Sequence, residues 1–325
     1  MYVAHTLPKA LGSAAVLAII PGLQAATINQ STNLGGGNHW NQANYWGGNT
    51  VQTGNDYQAS TGLGTSNYAF TVNGHVFDYT GEVRDAQDAG VNNTFAGDNL
   101  ILPADTRLLS KAQSASGVTS TVNITTQGGY ISSSANNTGN QSTLAGTLSI
   151  MDGTQTALLL NPPGTFTWNV SSIVTGAADT TLNLVIGGNA SETKHGILNF
   201  ASNLDAFAGT LFVSSVSNSK SMPGNPTSAL FRIANSAPLA TLNLATNSTS
   251  FSFDLNSNIT FGSVIVGGVA LDAGVYDFDD LSALAPGKFV DNSGSITVVP
   301  EPSAALLGGW ALLGWAIGFR RRSAM

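Results

Sequence analysis

Apolar and polar residues alternate through most of this 325-residue chain. Thr181-Leu182-Asn183-Leu184-Val185-Ile186, Gly209-Thr210-Leu211-Phe212-Val213-Ser214, Phe251-Ser252-Phe253-Asp254-Leu255 and Ile259-Thr260-Phe261 show the period of two that a half-buried strand requires. Turn chemistry separates these runs: Gly128-Gly129, Gly187-Gly188-Asn189, Pro223-Gly224-Asn225-Pro226 and Gly267-Gly268. Ala69 to Tyr79, with Asn73-Gly74 at its centre, predicts a hairpin. Helical periodicity is scarce, so residues 27–298 are expected to form an all-β body.

Echoes within the body suggest the architecture. Phe95-Ala96-Gly97, Leu144-Ala145-Gly146 and Phe207-Ala208-Gly209 each precede a strand-like run, and Thr181-Leu182-Asn183-Leu184 recurs as Thr241-Leu242-Asn243-Leu244. Their separations of 49, 63 and 60 residues suit two or three coils of a solenoid, if one coil takes on the order of 20 residues. The expectation is a right-handed parallel β-helix with Leu, Ile, Val and Phe stacked inside, Gly and Asn at the corners, and stacks of Asn. A β-sandwich would give the same alternating short strands and stands as the alternative.

Both ends break the pattern. Near the start, Ala10 to Ile20 is apolar, Pro21-Gly22 would break a helix, and Leu23-Gln24-Ala25-Ala26 offers small residues for cleavage. Residues 1–26 thus read as a secretory signal peptide cleaved after Ala25 or Ala26, with an uncleaved anchor as the rival. At the other end, residues 299–325 hold Pro300-Glu301-Pro302, an uncharged apolar run from Ser303 to Phe319, and Arg320-Arg321-Arg322. The run has 17 residues, about 25 Å as a helix and close to the minimum for a bilayer core. Ala304, Leu306, Leu307, Trp310, Leu312, Leu313, Trp315, Ile317 and Phe319 would face lipid. The three arginines would hold that end in the cytoplasm, leaving the body outside. A buried C-terminal helix of a soluble domain would show a polar face, and this run has none.

On those residues the tail resembles the PEP-CTERM sorting signal of bacterial exported proteins. Val298-Val299-Pro300-Glu301-Pro302-Ser303 carries the motif, followed by the apolar span and the basic cluster. The resemblance implies a membrane partner, the processing enzyme exosortase, acting near the motif, and delivery to the cell surface or exopolysaccharide matrix. Gly36-Gly37-Asn38-His39-Trp40-Asn41-Gln42-Ala43-Asn44-Tyr45-Trp46-Gly47-Gly48 is similar to the opening of surface proteins with autotransporter-type β-strand repeats. Val264 to Leu271, Ala273 to Tyr276 and Ser293 to Val298 are similar to the closing strands of that group. That likeness implies a β-helix passenger rather than an enzyme.

Composition narrows the chemistry. The chain has no cysteine, which removes disulfides, thiolate nucleophiles and cysteine-ligated metals. Charged residues are 9% of the sequence, against roughly 25% in ordinary soluble domains. The net charge of −7 becomes more negative once Lys9 and the tail arginines are set aside. A body with seven scattered Lys and Arg lacks the basic face that nucleic acid requires.

The candidate sites are few. Trp40 and Trp46, six apart, would share one face of a strand, either as a sugar-stacking platform or as a cap on the solenoid core. Asp272, Asp277, Asp279 and Asp280 form the main acidic cluster, a possible Ca²⁺ site or a solvated loop; their spacing fits no EF-hand or nonapeptide repeat. His39, His75 and His195 have no partner at zinc spacing and read as isolated loop residues. Glu82, Asp85 and Asp88 flank Arg84, and Asp105 lies near Arg107. These are the places to look for glycoside-cleaving acids or a lyase base, with an exposed ion pair as the plain alternative. No nucleophile elbow or phosphate loop is present. The expectation is therefore a structural or adhesive surface protein with no catalytic residues. A carbohydrate-binding or carbohydrate-active envelope protein stands as the alternative, and exopolysaccharide as a possible contact.

Overall fold

The computed structural model describes residues 25–33, 39–64, 69–85, 90–133, 139–161, 165–188, 195–217, 228–246 and 251–299. It is an all-β solenoid of about seven turns, about 57% strand and 5% helix. The sorting motif, the apolar run 303–319 and its arginines lie outside the described residues, as does most of the leader. No helix among the described residues is long and apolar enough to cross a membrane.

As the chain winds, it lays strands alternately into two sheets. The first sheet runs in spatial order Ala26–Asn29, Asn55–Gln58, Asn99–Pro103, Thr119–Gln127, Gln141–Ile150, Phe166–Val170, His195–Phe200, Ser228–Ile233, Phe251–Leu255 and Phe289–Asp291. The second runs Gly81–Arg84, Thr106–Ser110, Tyr130–Ser133, Gln155–Leu160, Thr181–Gly188, Thr210–Ser217, Ala237–Leu244, Asn258–Val266, Ser295–Val298 and Gly274–Tyr276. Every neighbouring pair along the first path is parallel. The second path is parallel up to its final antiparallel strand. Parallel pairing between successive coils distinguishes this solenoid from a sandwich of hairpins.

The alternating pattern places one set of side chains between the sheets. Leu108, Ile131, Leu158, Leu184, Val213 and Leu244 stack rung upon rung in the second sheet. Leu100, Ile124, Leu148 and Val174 do the same in the first. All are buried in one continuous core, each burial stabilising by about 1.5–3 kcal/mol. Thr181, Thr210 and Thr241 stack directly, so Thr181-Leu182-Asn183-Leu184 and Thr241-Leu242-Asn243-Leu244 are two coils apart, at spacings of 29 and 31 residues. The coil is longer than the expected 20.

The other echo is out of register. Leu144-Ala145-Gly146 lies within a first-sheet strand, whereas Phe207-Ala208-Gly209 turns the chain toward the second sheet. Gly146 has φ 105°, and a Cβ there would meet the Val122 carbonyl oxygen at 2.1 Å. The tripeptide thus serves close backbone packing in one coil and a corner in the other. Gly187 and Gly188, expected as a turn, continue the strand Thr181–Gly188.

Each end of the core is covered. At the N-terminal end a 3₁₀ turn, Ala43–Trp46, folds over it. At the C-terminal end an α-helix, Phe278–Leu284, buries Leu281, with Ala285 buried just beyond. The sequence pattern did not predict this helix. The expected hairpin forms, Phe70–Val72 pairing antiparallel with His75–Phe77. Asn73 and Gly74 supply the positive φ of 49° and 72° that the two-residue turn requires.

Candidate functional site

A cluster of ionisable side chains lies on the outer face of the second sheet, beneath that hairpin. Parallel register sets Glu82 opposite Arg107 and Arg107 opposite Tyr130. Glu82 Oε1 accepts from Arg84 Nε at 2.5 Å, and Glu82 Oε2 is paired with Arg107. The chain leaving the hairpin lays Tyr79 under Arg107, whose Cζ sits 3.8 Å from the ring centroid. Phe70, Val72, Phe77 and Tyr79 pack with Tyr130, Ala157, Leu159, Val185 and Val216 into a second, smaller core.

This environment fixes the protonation states. Burial alone would raise the Glu82 carboxyl, but Arg107 and Arg84 together outweigh it and hold the group below the usual carboxylate range. Burial opposes the Arg107 charge, yet Tyr130, Glu82 and Tyr79 keep that guanidinium above its ordinary value. Burial pushes the hydroxyls of Tyr130 and Tyr45 upward, so neither ionises at neutral pH. Glu82 and Arg107 are each 7% exposed. An ionised, enclosed carboxylate held between two guanidiniums clamps Gly81–Arg84 to Thr106–Ser110.

The remaining predicted positions are also occupied. Asp85 is fully buried and accepts from the hydroxyls of Ser110 and Ser120 at 2.9 and 2.5 Å and from the Lys111 N–H at 2.7 Å, tying its coil to the next two. It is not part of an exposed pair with Arg84. Asp88 lies outside the described residues. Asp105 sits in a turn at φ 58°, its carbonyl accepting from Thr80, while Arg107 reaches Glu82 instead.

Trp40 and Trp46 are not on a strand and neither ring is exposed. Trp46 Nε1 donates to the Trp40 carbonyl at 2.8 Å, and Trp46, Tyr57 and Phe95 meet edge to face or tilted at 4.9 to 6.4 Å between centroids. Trp40 stands 5.6 Å from Phe95. The pair caps the core, and a sugar platform would need a face that the burial removes.

The acidic cluster has a helical explanation. Asp277 is the N-cap of Phe278–Leu284: its side chain accepts from the Asp280 N–H at 3.1 Å, while Asp280 accepts from the Asp277 N–H, and Asp279 lies in the same first turn. Asp272 contributes its backbone carbonyl to the Tyr276 hydroxyl at 2.9 Å. Among the described residues, no group of three or more His, Asp or Glu is arranged to hold a metal ion. His75 and His195 lie on strands rather than loops; His75 packs edge-on against Phe77 at 4.5 Å.

Sequence reasoning missed Tyr79 and Tyr130 as members of the clamp. The available signal was the 25-residue spacing of Glu82 and Arg107, one coil, which only becomes informative once the coil length is known. No family model matches the sequence, and no curated protein or solved structure matches it either.

Proposed function

We propose that this chain is an exported structural or adhesive protein, delivered to the cell surface or extracellular matrix through its C-terminal tail. Its body is then a rigid polar spacer, wound as a right-handed β-helix. The observation that carries the reading is that the solenoid's pairing runs up to the residue before the motif. The Val299 N–H donates to the Phe261 carbonyl at 3.0 Å, and Pro300-Glu301-Pro302 begins at the next residue. The first strand likewise starts at Ala26, at the expected cleavage point after Ala25 or Ala26. Between these two points the body places Glu82 and Arg107 in a packing role and Asp277 and Asp280 in a capping role.

In this reading residues 303–319 span the inner membrane in transit, Arg320, Arg321 and Arg322 stay cytoplasmic, and an exosortase-type enzyme acts at Pro300-Glu301-Pro302. Expression in a Gram-negative host with and without that enzyme, followed by fractionation and intact mass, tests it. A species starting at Ala26 or Thr27 and ending between Pro300 and Ser303 only when the enzyme is present supports sorting. An intact C-terminus in the inner membrane under both conditions refutes it.

A further inference from the structure

The two sheets end differently. The outer edge of Gly81–Arg84, where the second sheet begins, is covered by the N-terminal segment. Gln30 Nε2 donates to the Glu82 carbonyl at 2.7 Å, the Glu82 N–H donates to Asn33 Oδ1 at 2.8 Å, and the Trp40 N–H donates to the Arg84 carbonyl at 2.7 Å. At the far end the antiparallel strand Gly274–Tyr276 covers Ser295–Val298. Among the described residues no further strand pairs with either end of the first sheet, although the helix Phe278–Leu284 packs beside Phe289–Asp291. Ala26–Asn29 and Phe289–Asp291 each have a strand neighbour on one side only.

Backbone alternation shows which groups face outward. The Gln30 N–H donates to Gln58, so those of Asn29 and Thr27 point away from the sheet. The Lys288 carbonyl accepts from Phe253, so Phe289 and Asp291 direct their N–H groups outward at the other end. Ala26, Thr27, Asn29, Val290 and Asp291 are exposed. Because every pair along this path is parallel, the two edges run in the same direction. Translation along the solenoid axis would set Phe289–Asp291 of one copy beside Ala26–Asn29 of the next as one more parallel pair. Such a contact is heterologous and builds an open chain of copies.

Charge selects the same orientation. Residues 269–299 contain Asp272, Asp277, Asp279, Asp280 and Asp291 against Lys288 alone. Residues 26–64 contain one acid, Asp56, and no Lys or Arg. Two C-terminal ends would repel, whereas a C-terminal end meeting an N-terminal end does not.

We propose that, once both terminal segments are removed, copies of this chain associate head to tail through the edges Ala26–Asn29 and Phe289–Asp291. The removal step rests on the sorting reading above; the pairing of the edges does not. The described strands, both end covers and both cores lie within residues 26–299, so this stretch is the unit to test. Sedimentation velocity should show its mass rising with concentration, while the full chain in detergent stays at one copy. Asn29→Pro blocks one edge and Asp291→Pro the other by removing an outward donor. Each variant alone should be monomeric, and their equimolar mixture should form dimers through the two intact edges and stop there. That complementation also shows that both variants are folded. Residues 26–299 remaining monomeric at all soluble concentrations would overturn the proposal, as would undiminished assembly of either blocked variant. Equal assembly of the full chain would overturn the dependence on removal while leaving the pairing standing.

Discussion

The outer faces of the two sheets are built from the same alternating strands and end as opposites. On the first sheet the outward side chains form polar ladders that are half-buried to exposed. Asn99 bonds Thr125 at 3.0 Å, Thr147 bonds Asn123 at 3.1 Å, Thr175 bonds Ser149 at 3.1 Å, and Asn199 donates to Asn169 at 2.9 Å, each one rung apart. On the second sheet the outward positions include Tyr130, Ala157, Leu159 and Val185, and these are buried by the hairpin. The inner core is continuous behind both faces. Period two therefore establishes that a strand is half buried, but the outward residue types decide whether its other face meets water or a second layer. The first face presents amides and hydroxyls with few charges, and the second holds the buried clamp.

That contrast can be tested by graded substitutions. The largest loss belongs to the shared inner core: Trp168→Ala should destabilise by roughly 3–5 kcal/mol, read by denaturant unfolding. Next comes the clamp. Glu82→Ala leaves two guanidiniums without their shared carboxylate and should cost about 3 kcal/mol, whereas a loss within experimental error would mean that the hairpin face is held by apolar packing alone. The pH dependence has a definite sign. The folded Glu82 carboxyl lies below its unfolded value of about 4.3. Its contribution is thus complete above that value and lost as pH falls through the depressed folded value. An acid titration of stability should flatten in Glu82→Gln.

Smaller effects sharpen the comparison. Leu159→Ala, on the hairpin-covered face, should cost about 2 kcal/mol and increase dye binding to exposed apolar surface. Gly74→Ala forces a side chain into a positive φ and should cost about 1 kcal/mol, with proteolysis appearing first in the hairpin. Thr147→Ala, on the polar ladder, should change stability by about 0.5 kcal/mol or less. A ladder substitution as costly as Leu159→Ala would erase the distinction between the faces.

Much of the body was legible because its signals are local. Strands at Thr181, Thr210, Phe251 and Ile259 follow from alternation, and the hairpin from Asn73-Gly74. The repeated Thr-Leu-Asn-Leu marks true stacking because those residues occupy the same inward and outward positions two coils apart. The Phe-Ala-Gly echo misled, since small residues meet several backbone needs and fix no register. The choice between solenoid and sandwich was not encoded in alternation, which is the same for parallel and antiparallel neighbours. The helix Phe278–Leu284 was missed because its capping box uses Asp280 at the third position, where Glu or Gln is usual, inside a cluster that suggested a loop. The clamp depends on one-coil register, a long-range property that neighbouring residues do not reveal.

The central claim is that residues 26–299 stack coil upon coil in parallel. Since the chain has no cysteine, spin labels can be placed at single chosen pairs. Gln58, Ile101, Thr125, Ser149, Thr175 and Ala206 occupy successive rungs of the first sheet. Distances measured by electron spin resonance from Gln58 to Thr175 and to Ala206 should be near 19 and 24 Å, growing by about 4.8 Å per coil. Distances that fail to increase with each coil would contradict the solenoid.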